Sequence, residues 1–147
     1  MKKDKSAAVS LITLYLLFAV LIALAITAPV LAKTFIEKFD RPETIFFPVV
    51  VTFYCIFPFA VGVIFCLSRL LKNIMKENVF ITENVKLLRA ISILLFVAAM
   101  IFAVAGYFYM PFYLLAVCSA FIVLIVRVVK NCFAAAVLLK DENDMTI

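Results

Sequence analysis

The stretch Ser68–Ile91, SRLLKNIMKENVFITENVKLLRAI, decides how this chain is read. Long charge-free apolar runs flank it, and within it Arg69, Lys72, Lys76, Lys86 and Arg89 face only Glu77 and Glu83. A basic connector between membrane-length runs marks the cytoplasmic side, because Lys and Arg cross a bilayer poorly during insertion. Leu67, Leu70, Leu71, Ile74 and Met75 keep a 3–4 spacing across its start. The preceding helix is therefore expected to run on along the membrane surface, with Lys72, Asn73, Lys76 and Glu77 toward water. Residues 78–81 break it. Thr82 is the expected N-cap of the next helix, with Glu83 well placed near the positive end.

Composition sets the class. The chain has 147 residues, 68% of them hydrophobic, and only 2 Gly, with a mean hydropathy of +1.24. Soluble domains are nearer half apolar, so one integral membrane domain over residues 1–147 is expected. The net charge of +5 is the bias of a positively charged inner face, reinforced by anionic headgroups, and no direct contact with nucleic acid is expected.

Upstream of the connector, a short basic head (MKKDKS) precedes a charge-free run from Ala7 to Ala32. A secretory apolar core is usually about 7–15 residues, so this longer run reads as an uncleaved first span over 7–32, its last turn loosened at Pro29. The loop 33–43 balances Lys33, Lys38 and Arg41 against Glu37, Asp40 and Glu43, as suits an outer loop. It takes three of the 14 basic and three of the nine acidic residues, and the rest fall inside. The second span is expected over 44–71. Pro48 suits its first turn, and Pro58 leaves the carbonyl of Tyr54 without its usual partner, which predicts a kink.

Downstream, Ala90–Val126 carries no charge over 37 residues. A single straight helix of that length would reach roughly 55 Å against a core of about 30 Å. Two spans with a tight turn at Tyr107–Pro111 resolve this, with the flanking basic residues reaching back to the interface. The spans are then 83–109 and 111–139, with a cytosolic connector over 72–82 and a cytosolic tail over 140–147. The expected architecture is an all-α membrane protein of four transmembrane helices, forming two antiparallel hairpins with both termini cytoplasmic. Lys86, Arg89, Arg127 and Lys130 gather at its inner interface as a basic collar.

The interior is chemically sparse. No Asp or Glu lies at depth within a span, Glu83 standing at the very start of the third, which weakens a proton- or ion-coupled transporter. There is no His, no Gly-rich phosphate loop and no nucleophile with a base, so no enzymatic activity and no cofactor are expected. Cys55, Cys66, Cys118 and Cys132 form no CxxC pair and read as small core residues rather than metal ligands or disulfides. Ala19/Ala23, Ala28/Ala32, Ala99/Ala103 and Ala116/Ala120 permit close helix packing without specifying a dimer, which leaves a homo-oligomer open.

Two segments carry a family resemblance. Phe80–Arg89 (FITENVKLLR) is similar to the segment before the third helix in a bacterial family of small four-span membrane proteins of unknown function. Leu139–Ile147 (LKDENDMTI) resembles that family's terminal signature ending in E-N-D-L-T-I, with Met145 in place of the usual Leu. Members are commonly encoded beside a very small Cro-type helix-turn-helix regulator. The resemblance therefore implies a multi-pass protein of the bacterial cytoplasmic membrane with a DNA-binding protein as partner.

The acidic end gives this a physical reading, because Asp141, Glu142 and Asp144 could engage a basic DNA-binding domain and compete with its phosphate contacts. The same acids could equally pair with Lys72, Lys76, Lys86 or Arg89 of their own chain. The expectation carried forward is a membrane-embedded regulatory or sensory protein that binds a small cytosolic helix-turn-helix regulator. Its candidate contact residues are Lys86, Arg89, Arg127, Lys130, Asp141, Glu142, Asn143 and Asp144. A self-immunity or small-molecule efflux protein is the alternative, followed by a structural subunit of a larger membrane complex.

Overall fold

In lipid, every backbone N–H and C=O needs a partner within the protein, so apolar runs of this length fold as helix. The computed structural model describes residues 2–145, with side chains from Ser6 onward. Met1, the side chains of the basic head, and Thr146 and Ile147 of the tail lie outside the described residues. Helix α1 covers Lys2–Lys38, and α2 covers Phe46–Met75 behind a single 3₁₀ turn at Glu43–Ile45. Helices α3 and α4 cover Thr82–Ala105 and Pro111–Met145. Among the described residues there is no strand, and all four helices are long and apolar enough to cross a membrane. The chain is a multi-pass, all-helical membrane protein whose outer faces meet the bilayer.

Each helix packs on its neighbour in sequence: α1 on α2, α2 on α3, and α3 on α4. Helix α3 is thereby covered from two sides and supplies more of the buried residues than any other helix, among them Leu88, Ile91, Ala98, Ala99 and Ala105. Contact with α2 is close at Gly62, where an added Cβ would lie 3.0 Å from Leu94 Cδ1.

The helices overrun several expected boundaries. Residues Lys33–Lys38, expected in the outer loop, are the last turns of α1. Ile36 is buried, Phe35 and Phe39 pack with ring centroids 4.9 Å apart, and Lys33 faces Glu37 at 4.0 Å. These side chains give the polar segment a reason to stay helical, and Pro29 does not end the helix. The third helix stops at Ala105 rather than 109, and the Gly106 that follows packs against Tyr113 so closely that a Cβ would meet its ring at 2.6 Å. Helix α4 runs on to Met145, since no Gly or Pro interrupts it after Pro111.

Two helix ends turn on residues other than glycine. At the end of α2, Glu77 has φ 62°, its N–H reaches the Ile74 carbonyl at 3.1 Å, and the Asn78 N–H reaches Asn73 at 3.0 Å. This is a Schellman closure with Glu77 at the left-handed position. Asp40 (φ 47°) does the same for α1, with the Arg41 N–H on the Ile36 carbonyl at 3.0 Å. A left-handed residue with a Cβ costs roughly 1 kcal/mol. Glu77→Gly is therefore expected to raise thermal stability in detergent, and a lowered melting temperature would count against this closure.

Pro29 lacks the N–H that would bond the Ala25 carbonyl. The Tyr54 hydroxyl from α2 donates to that carbonyl at 2.9 Å. Tyr54→Phe is expected to cost about 1 kcal/mol, the usual scale of a hydrogen bond between membrane helices. In a Pro29→Ala background the helix regains its own bond, so the Tyr54→Phe cost should shrink. Equal costs in the two backgrounds would contradict the pairing.

Candidate functional site

The connector between α2 and α3 is built around one side chain. Asn84, in the first turn of α3, is fully buried. Its Oδ1 accepts from Asn73 Nδ2 at 2.8 Å, and its Nδ2 donates to the carbonyls of Asn78 and Val79 at 2.9 and 2.7 Å. The end of α2, the connector and the start of α3 are thus tied to one amide. This also corrects the expected cap. Thr82 is the first helical residue, and Ile81 holds the cap position in extended geometry (φ −126°, ψ 150°) with no side-chain cap bond. The Asn84 amide draws the connector carbonyls over the helix start instead.

Charges and rings complete this end of the molecule. Arg69 Nε lies 2.8 Å from Glu83 Oε1. Lys72 Nζ sits 6.0 Å from the centroid of the Tyr15 ring, which brings α1 to the connector. Phe80 packs on Phe133 of α4 with centroids 5.6 Å apart.

The eight candidate contact residues divide into two groups. Phe102 of α3 stacks on Phe112 of α4 at 5.9 Å, which sets a common height for the two helices. From that level, Arg89 and Lys86 lie roughly 20 and 24 Å along α3, and Arg127 and Lys130 roughly 22 and 27 Å along α4. The four basic residues therefore share one level at the connector end, with Lys130 half-buried and the others exposed. Asp141, Glu142, Asn143 and Asp144 are exposed on the last turns of α4. They lie roughly 16–21 Å beyond Lys130 along the helix, so the acidic end is carried away from the collar rather than beside it.

Sequence reasoning missed Asn84 and Tyr15. An asparagine inside a helix start, two residues past a plausible cap, was the one available signal for the first. Tyr15 gave none, because its partners arrive from another helix. Leu138, Leu139 and Met145 are also exposed on the projecting end of α4, and they flank the acids on either side. Among the described residues no three His, Cys, Asp or Glu converge to hold a metal, and all four cysteines are free.

The family model described as "Protein of unknown function (DUF2975)" matches residues 7–147, nearly the entire chain, and the chain belongs to that family. Both segments that carried the resemblance fall inside the match. No curated protein and no solved structure matches it.

Proposed function

We propose that this member of the family holds a small, basic helix-turn-helix transcription regulator at the cytosolic face of a bacterial cytoplasmic membrane. In this reading the chain forms two antiparallel hairpins with both termini inside, and it is not an enzyme. The observation that carries the reading is α4 itself, an unbroken helix from Pro111 to Met145. At 35 residues it is about 52 Å long, some 20 Å more than a hydrocarbon core of about 30 Å requires. The surplus is a helical stalk past Arg127 and Lys130.

Leu138, Asp141, Glu142 and Met145 follow the spacing of one helix face on that stalk. A face that mixes exposed apolar side chains with carboxylates suits a partner offering both basic and apolar surface, as a DNA-binding domain does. Carboxylates there would compete with DNA phosphates for the same Lys and Arg. Binding and release from DNA would then be one event.

The test uses the full chain in nanodiscs of neutral lipid, with the purified small helix-turn-helix protein that the family resemblance implies. Binding is expected to weaken roughly tenfold or more when Asp141, Glu142 and Asp144 are all replaced by Lys, and to weaken with added salt. Binding that ignores both changes would remove the stalk from the account.

A further inference from the structure

We infer that the face of α4 turned away from the rest of the chain is an interface with the α4 of a second copy, the two helices running parallel. This goes beyond the proposed regulator contact and does not depend on it.

Helix α4 has two opposite faces. One follows Phe112, Ala116, Ser119, Val123, Val126 and Lys130, all buried or half-buried, and packs on α3. Ser119 also borders a cavity lined by α1, α2 and α3, so the rest of the bundle stands on this side. The other face follows Leu114, Cys118, Phe121, Ile125 and Val128, and all five are exposed. It continues through Cys132, Ala135 and Leu139, which are exposed as well. Steps of four and three alternate along it for about three and a half heptads, the pattern of a helix that meets another along its length. The two charged residues within that length, Arg127 and Lys130, both fall off the stripe.

Height identifies the partner. Leu139 lies roughly 40 Å along α4 from Phe112, past the far edge of a hydrocarbon core of about 30 Å. Acyl chains can cover Leu114 to Val128, but not Cys132, Ala135 and Leu139 beyond the basic collar. A soluble protein can cover those last three, but not the part within the bilayer. A single occupant of the whole stripe is a helix that rises out of the same membrane and is apolar at both heights. A second copy inserted in the same direction meets that requirement with no offset, because its own stripe stands at equal height. A two-fold axis along the membrane normal then sets like residues together. Cys118, Cys132 and Ala135 are small, which lets the two backbones approach closely. The face of Leu138, Asp141, Glu142 and Met145 stays open to the regulator, since adjacent residues such as Leu138 and Leu139 point about 100° apart.

The stripe carries its own reporters. Chains keeping Cys118 or Cys132 as the sole cysteine are oxidised with copper–phenanthroline in isolated membranes. Ile122→Cys in a chain otherwise lacking cysteine is the control, exposed one turn from Cys118 but off the stripe. Each stripe cysteine is expected to give a product of twice 16.5 kDa. It should form about tenfold faster than with the control, because a held pair outpaces random encounter. Ala135→Lys puts a charge into the stripe above the bilayer and should slow cross-linking at Cys118 about fivefold. If that variant fails to insert, the otherwise unaltered chain decides: carrying one dye at its N-terminus and diluted into vesicles, it should bleach in two steps. Cross-linking no faster than the control, a product of another mass, indifference to an inserted Ala135→Lys, or bleaching in one step overturns the assignment.

Discussion

Asn84→Asp is expected to destabilise the folded chain by about 3 kcal/mol or more, the range for breaking a buried polar network and leaving its partners unmatched. The amide is fully buried and spends its Nδ2 on two carbonyls, of Asn78 and Val79. A carboxylate would turn acceptors toward acceptors and bring a charge into a site with no solvent. Asn84→Leu keeps the volume but strands Asn73 Nδ2 and the same two carbonyls, so it should cost nearly as much. The loss should appear as a lower melting temperature in detergent and as faster proteolysis within residues 76–81. A change of less than about 0.5 kcal/mol, the scatter of ordinary surface substitutions, would contradict the role given to this network.

The second large effect is all-or-none. In a variant lacking the four native cysteines, single cysteines at Glu43 and at Asp144 are expected to label from opposite sides of intact cells. Glu43 is preferred to its neighbour Asp40, whose φ of 47° makes substitution there strained. The expectation follows from charge. Carrying the connector end outward would move Arg69, Lys72, Lys76, Lys86 and Arg89 across the membrane, and each basic residue costs roughly 2.5–3.5 kcal/mol at the core. Labelling from one side would refute the two-hairpin arrangement.

The four helices were legible in the sequence because length and hydropathy leave a lipid-embedded chain no alternative. Their ends were less so, for local reasons. Lys33–Lys38 looks like loop by polarity, yet Ile36 is buried and Phe35 packs on Phe39, contacts that polarity does not reveal. Thr82 has the chemistry of a cap, but Asn84 wins because its three partners sit 5, 6 and 11 residues away and meet only once the connector turns. The Tyr54–Ala25 bond spans 29 residues and is invisible until α1 and α2 pack.

The basic level of the site was readable from charge alone. Its separation from the acidic end was not, because that distance depends on residues 132–145 being helix rather than a tail folded back. As helix, each residue moves the acids about 1.5 Å farther from the collar.

The contact on the α4 stalk is tested most directly by fractionating cells that express the chain together with the small helix-turn-helix protein. With the intact chain, that protein should be found in the membrane fraction. With a chain truncated after Asn131 it should be soluble, although the four spans still insert, because no deleted residue is needed to cross the bilayer. A regulator that stays soluble beside the intact chain, or stays bound to the truncated one, would contradict the account.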